Sequence, residues 1–295
     1  MKNTIFTGAG VAIVTPFANG TINYEKLAEL IEFQIANKTD AIIICGTTGE
    51  TSTLTDAEHK EAIRWTVQQV NKRVPVIAGT GSNHTEYSLE LSKFAKDVGA
   101  DALLLVTPYY NKTSQTGLIK HFTYIADKVD LPIILYNVPS RTGMTIKPNT
   151  YLELSKHKNI VAAKEASGDI SAIIETVALC RDNLDIYSGN DDQIVPMLSL
   201  GGKGVISVLS NILPLKTHNI CSLFFEGKIK ESLDLQLKLL EFTNTLFIEV
   251  NPIPVKTALN LLGYDVGELR MPLCEMSSNN LEILKTSMKK IGLKV

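Results

Sequence analysis

Short, nearly unbroken runs of aliphatic and β-branched residues recur along the chain, separated by stretches in which apolar residues return every three or four positions. The runs fall at 10–14, 41–44, 74–77, 102–106, 132–135, 160–163, 184–187 and 204–207. Apolar residues that do not alternate with polar ones suit strands covered on both faces, the condition of a parallel sheet. The intervening stretches predict helices. Asn23 can cap one whose Leu27, Leu30, Ile31 and Ile35 share a face. Thr55-Asp56-Ala57-Glu58 has the form of a capping box, followed by Ile63, Val67 and Val70 at helical spacing. Asn83-His84-Thr85-Glu86 predicts a further helix start with Asn83 in the cap position.

About eight strand–helix units in succession predict an α/β fold, a closed (β/α)8 barrel of the TIM type. The competing architecture is a doubly wound open sheet. Repeat count favours the barrel, and no Gly-x-Gly-x-x-Gly follows the first strand. Leu200-Gly201-Gly202-Lys203-Gly204 lacks phosphate-loop spacing and reads as the turn into the eighth strand. Strand runs stop after residue 225. Leu233, Leu237, Leu240 and Thr243-Asn244 predict a helix, and further helices follow at 259–262 and 281–288. The expected division is a barrel over 1–224 and a C-terminal helical appendage over 225–295, packed on the barrel without a linker.

Charge and composition narrow the function. The net charge of -2 offers no basic field for nucleic acid or an anionic membrane. No apolar run approaches the ~20 residues of a membrane span. Met1-Lys2-Asn3-Thr4-Ile5-Phe6 carries no signal-peptide pattern, so a cytoplasmic location is expected. Cys45, Cys180, Cys221 and Cys274 are far apart and read as buried, reduced thiols. His59, His84, His121, His157 and His218 form no zinc pattern, which disfavours a metal-dependent aldolase.

Candidate chemistry collects at the strand ends, where barrels of this kind carry their active sites. Lys164 follows Ile160-Val161-Ala162-Ala163. Alone it reads as a lysine snorkelling at a strand end. Burial, however, favours the neutral amine, and a neutral amine is a nucleophile able to form a Schiff base with a carbonyl. Tyr136, one strand earlier, could carry protons to and from the carbinolamine. An ordinary tyrosine, with a pKa near ~10, needs a hydroxyl relay for this, which Thr47 can supply. Gly46-Thr47-Thr48-Gly49 offers amides and hydroxyls ahead of a helix, a setting for a small carboxylate. Arg141 is a second carboxylate clamp. Each has a bland reading as a turn, core or surface residue, but chance rarely gathers all of them on one barrel face.

Four motifs together resemble the dihydrodipicolinate synthase family. They are Gly46-Thr47-Thr48-Gly49-Glu50, Thr107-Pro108-Tyr109-Tyr110-Asn111, Tyr136-Asn137-Val138-Pro139-Ser140-Arg141-Thr142-Gly143 and Val161-Ala162-Ala163-Lys164-Glu165-Ala166. Asn251-Pro252-Ile253-Pro254-Val255-Lys256 matches the family's C-terminal helical region, and the resemblance runs from Gly8 to about residue 290. It implies condensation of pyruvate with L-aspartate 4-semialdehyde in diaminopimelate and lysine biosynthesis, with no metal or organic cofactor. It implies Lys164 as the Schiff-base residue, Tyr136 as proton donor and acceptor, and Thr47 and Tyr110 as relay, Tyr110 reaching in from a neighbouring subunit. Thr48 and the backbone at Ile206 would bind pyruvate, with Gly189 in the substrate-binding set. Arg141 would bind the semialdehyde carboxylate. The assembly implied is a homotetramer, a dimer of dimers.

Two rival readings share part of this evidence. Other pyruvate aldolases on the same scaffold, acting on sialic or 2-keto-3-deoxy sugar acids, also use the lysine and tyrosine. Arg141 and the Tyr109-Tyr110 pair suit a short amino-acid aldehyde rather than a polyol. A catalytically silent oxo-acid sensor would need no proton relay. Lysine-sensitive members of the family bind the effector near segments matching Thr51-Ser52, Asp56, His59, Asn83-His84 and Tyr109. Asp56 stands where a histidine often occurs and Tyr87 where a glutamate does, so weak or absent inhibition by lysine is expected.

Overall fold

The computed structural model describes residues 2–295; Met1, the first residue of the N-terminal stretch considered above, lies outside the described residues. Among them, eight parallel strands close into a barrel: β1 (Gly8–Ala12), β2 (Ala41–Ile44), β3 (Val76–Gly79), β4 (Ala102–Val106), β5 (Ile133–Asn137), β6 (Ile160–Glu165), β7 (Asp185–Ser188) and β8 (Gly204–Ser207). Each pairs with its sequence neighbours, and β8 returns to β1 with Gly10 opposite Ile206. The closed order excludes the open sheet.

Several boundaries moved by one or two residues for a physical reason. Proline has no N–H to give a ladder, so β3 and β5 begin after Pro75 and Pro132. Both prolines still accept, from Ile42 N–H and Leu103 N–H, each at 2.9 Å. The first strand lies two residues earlier than expected. Val14 is instead tied to the loop after β8, its N–H donating to Asn211 Oδ1 at 3.1 Å.

Alternate strand residues divide between two cores. Ala12, Ile43, Ile77, Leu104, Ile134, Ala162, Tyr187 and Ile206 fill the barrel interior, while Val11, Ile42, Ile44, Leu103 and Leu105 face the helices. Phe6 stacks on Tyr187 with ring centroids 4.4 Å apart, and the Tyr187 hydroxyl donates to Phe6 O at 2.6 Å. This plug closes the N-terminal mouth and leaves the C-terminal mouth for a site.

The outer layer begins with α1 (Tyr24–Ala36), α2 (Asp56–Val70), α3 (Thr85–Asp97) and α4 (Gln115–Ala126). The short α5 (Pro139–Thr142) and then α6 (Pro148–Leu154), α7 (Ile170–Cys180), α8 (Ile194–Ser199) and α9 (Pro214–Phe225) complete the ring. Asn23 Oδ1 caps α1 at Lys26 N–H, and Thr55 with Glu58 forms the reciprocal box on α2. The third expected cap is corrected: His84, not Asn83, precedes α3, and its side chain makes no cap bond. Glu86 is not free to reach back, because it accepts from the Tyr124 hydroxyl of α4 at 2.6 Å.

Three further helices, α10 (Ile229–Thr245), α11 (Ile253–Leu261) and α12 (Ser278–Lys290), form the C-terminal part. We propose to divide barrel from appendage at 224/225, beside the turn between α9 and α10. Cys45, Cys180 and Cys221 are buried, but Cys274 is exposed, because it lies in the irregular segment between α11 and α12.

Candidate active site

Strand register builds the centre of the site. Tyr136 on β5 pairs with Lys164 on β6, and Asn137 with Glu165. Tyr136 and Lys164 therefore project to the same side of adjacent strands, into the C-terminal mouth. Both are buried, and Lys164 Nζ lies 4.3 Å from the centroid of the Tyr136 ring. Their neighbours project outward. Glu165 accepts from the Tyr151 hydroxyl at 2.5 Å, from Asn137 Nδ2 at 3.0 Å and from Ser167 Oγ at 2.9 Å. Burial raises the Glu165 carboxyl above the usual carboxylate range. This network fastens the ends of β5 and β6 to α6, and so holds the lysine and tyrosine against one another.

The second wall is the loop after β2. Cys45 and Glu50 adopt left-handed conformations at φ 55° and 54°, and between them Thr47–Gly49 forms one tight 3-10 turn. Gly79 on β3 permits it: a Cβ there would lie 2.1 Å from Cys45 O. The expected cradle of amides is corrected in part. Gly49 N–H and Glu50 N–H bond to Gly46 O and Thr47 O within the turn. Thr47 and Thr48 line the cavity, Thr48 buried and Thr47 half-buried.

The remaining walls come from β7, β8 and the appendage. Gly189 N–H donates to Glu165 O at 2.6 Å, and a Cβ on Gly189 would come within 2.7 Å of Ala166 Cβ, so only glycine fits here. Asp191 is buried, and its Oδ2 accepts from Val208 N–H and Leu209 N–H at 2.9 Å each, joining the loops after β7 and β8. Burial raises its carboxyl too.

The result is a cavity of about 150 Å³. It unites Thr47, Thr48, Tyr136, Arg141, Lys164 and Gly189, contributed by four strands, β2, β5, β6 and β7, and the segments that follow them. Two expected residues stand apart. Ile206 is fully buried in the barrel and Val208 lines the cavity in its place. Tyr110 is 92% exposed on the loop after β4, with φ 66°, and lines no wall of this chain's own cavity. Arg141, on α5, is exposed and makes a bond the sequence did not show, to Asn251 O at 3.0 Å.

Asn251 and Phe247 are the residues sequence reasoning missed. Both line the cavity from the appendage. The signal for Asn251 was present in Asn251-Pro252-Ile253-Pro254-Val255-Lys256, which served only to mark the C-terminal region.

The barrel and this pocket define a lyase of the class I aldolase type. The family model for the dihydrodipicolinate synthetase family matches residues 5–291, and the chain belongs to that family. A relative from Clostridium tetani, named 4-hydroxy-tetrahydrodipicolinate synthase, is 60% identical over 98% of this chain and 99% of its own length. The crystal structure of dihydrodipicolinate synthase from Aquifex aeolicus superposes with a TM-score of 0.96 at 45% identity, covering 98% of this chain and 99% of that one. A structure described as the first monomeric dihydrodipicolinate synthase variant matches with a TM-score of 0.96 at 43% identity, covering 98% of each chain.

Proposed function

We propose that the protein condenses pyruvate with L-aspartate 4-semialdehyde to give 4-hydroxy-tetrahydrodipicolinate, a step of diaminopimelate and lysine biosynthesis, through an imine on Lys164. Family membership supports the reaction. The observation that carries the residue assignment is the pairing of Tyr136 with Lys164, which sets the amine 4.3 Å from the tyrosine ring inside a small closed-ended cavity.

The Lys164 amine attacks the pyruvate ketone to form a carbinolamine. Tyr136, relayed through Thr47, protonates the departing hydroxyl, and water leaves to give the imine. Loss of a methyl proton gives the enamine, whose carbon attacks the aldehyde of the second substrate. The new alkoxide takes a proton from the relay. The substrate amine then adds to the imine carbon, closes the ring and releases Lys164. Thr48 and Gly189, which line the cavity, bind pyruvate, and the family resemblance assigns the backbone at Ile206 to the same substrate although the Ile206 side chain is buried in the barrel. Arg141 holds the carboxylate of the semialdehyde.

Tyr110 completes the relay from a neighbouring subunit in a homotetramer built as a dimer of dimers. Its exposure in the single chain supports this role. Variants that become monomeric are expected to keep their fold and lose activity. Monomers of full activity by sedimentation and coupled assay would remove Tyr110 from the relay. No helix among the described residues is long and apolar enough to cross a membrane. A cytoplasmic location is proposed together with the biosynthetic role.

Asp56 and Tyr87 support insensitivity to lysine. The Tyr87 hydroxyl donates to Asp56 Oδ1 at 3.1 Å, and Lys60 Nζ sits 2.9 Å from Asp56, so the carboxylate is already paired. Activity is expected to be unchanged by submillimolar lysine, and inhibition in that range would reverse this reading. The principal test is a coupled assay that follows NADPH loss through the next reductase. Loss that needs both substrates, together with borohydride trapping of pyruvate on Lys164, is the expected result. Trapping without turnover would leave a different pyruvate aldolase, and pyruvate binding without a trappable imine would leave a silent barrel.

A further inference from the structure

Asn251 touches two residues of the cavity at once. Its Nδ2 donates to Thr48 Oγ1 at 3.0 Å, and its backbone carbonyl accepts from Arg141 at 3.0 Å. The side chain is 6% exposed, and its Oδ1 has no partner among the described residues. A threonine hydroxyl has one proton and two acceptor lone pairs. With an amide N–H aimed at the oxygen, the Thr48 proton is left to point away from Asn251. The cavity that both residues line is the direction open to it.

The segment that carries Asn251 is held firmly enough to act as a guide. Ile253 N–H bonds to Val250 O at 2.8 Å and Lys256 N–H to Pro252 O at 3.0 Å. Three residues after Ile253, Lys256 Nζ meets Glu50 Oε1 at 2.7 Å, both side chains fully buried. The appendage thus grips the turn after β2 at two points, Thr48 and Glu50.

We propose that Asn251 is a positioning residue for pyruvate binding: it turns the Thr48 hydroxyl proton into the cavity, so that Thr48 meets the oxo-acid carboxylate as a donor. This rests on the reading of Thr48 as a pyruvate-binding residue. Asn251 does not itself touch the reacting atoms. Its loss frees the hydroxyl to rotate, which weakens the ground-state contact with pyruvate and leaves the later chemistry in place.

The test is a double-mutant cycle on the intact protein, using Asn251→Leu and Thr48→Val, singly and together. KM for pyruvate, KM for the semialdehyde, kcat and the melting temperature are measured for each. Asn251→Leu is expected to raise KM for pyruvate roughly threefold to tenfold, the range of one neutral hydrogen bond, with kcat and the other KM held. In the Thr48→Val background it is expected to add nothing. Asn251→Ala supplies the same readout if the leucine variant fails to fold. An unchanged pyruvate KM, or an effect of equal size in the Thr48→Val background, would overturn the proposal. If Thr48→Val alone leaves pyruvate KM unchanged, the reading of Thr48 fails and takes the proposal with it.

Discussion

Among the described residues two lysines are buried, and they are buried differently. Lys164 is 6% exposed at the end of β6, stands over the Tyr136 ring, and has no ion-pair partner among the described residues. Lys256 is 1% exposed on α11 and is paired. It meets Glu50 Oε1 at 2.7 Å and Glu268 O at 2.6 Å, with the Phe17 ring 4.5 Å from its Nζ. Glu50 in turn accepts from Arg270 N–H at 2.9 Å. Burial alone therefore does not mark a nucleophile. A lysine paired with a carboxylate and a carbonyl holds architecture in place, while one left unpaired beside a proton carrier and a cavity is free to react.

The contrast breaks most sharply in activity. Lys164→Ala is expected to lose more than about a thousandfold in turnover, with a melting temperature near that of the parent. The coupled assay and calorimetry read both. A large loss of stability in this variant would place Lys164 with Lys256 instead. Lys256→Met should show the reverse order of effects. Removing one partner of a buried ion pair strands the Glu50 charge, at a cost of about 3–5 kcal/mol by urea unfolding. Pairing it with Glu50→Gln is expected to recover part of that loss, because no charge is then left buried alone.

A third buried cation-former gives a smaller effect and a pH signature. His121 on α4 is 7% exposed, its Nδ1 bonds Thr85 Oγ1 at 2.9 Å, and burial lowers its pKa from 6.5 to about 4. Its imidazole is neutral in the fold while the unfolded chain takes up a proton. Its contribution is therefore complete above pH 6.5 and declines as pH falls toward 4. Relative to His121→Asn, the parent is expected to lose on the order of 2–3 kcal/mol across that window. Parallel stability–pH curves for the two proteins would show that His121 does not titrate as described.

The sequence disclosed one of the two buried lysines and hid the other. Lys164 was visible because it ends a run of buried aliphatic residues, and Tyr136 because it stands at the matching place one strand earlier. Lys256 gave no such sign. In Pro254-Val255-Lys256-Thr257 it looks like any helical lysine. Its acceptors lie 206 residues away at Glu50 and 12 residues away at Glu268. Asn251 was hidden for the same reason, with Thr48 203 residues distant. Cys274 and the Asn83 cap misled because each depends on what packs nearby. One lies in an irregular segment that leaves it exposed, and in the other the helix starts a residue later while Glu86 bonds Tyr124.

What the chain determined by itself is the order of its parts: eight apolar strands, the helices between them, and the polar clusters at their C-terminal ends. Hydrophobic period and cap chemistry act over a few residues, so they can be read without a structure. The tertiary structure alone decided the shear that sets Tyr136 opposite Lys164, the plug of Phe6 on Tyr187, and the reach of Asn251 and Lys256 into the turn after β2. Those contacts join segments far apart in sequence, and their strength comes from burial, which exists only once the barrel has closed and the appendage has docked.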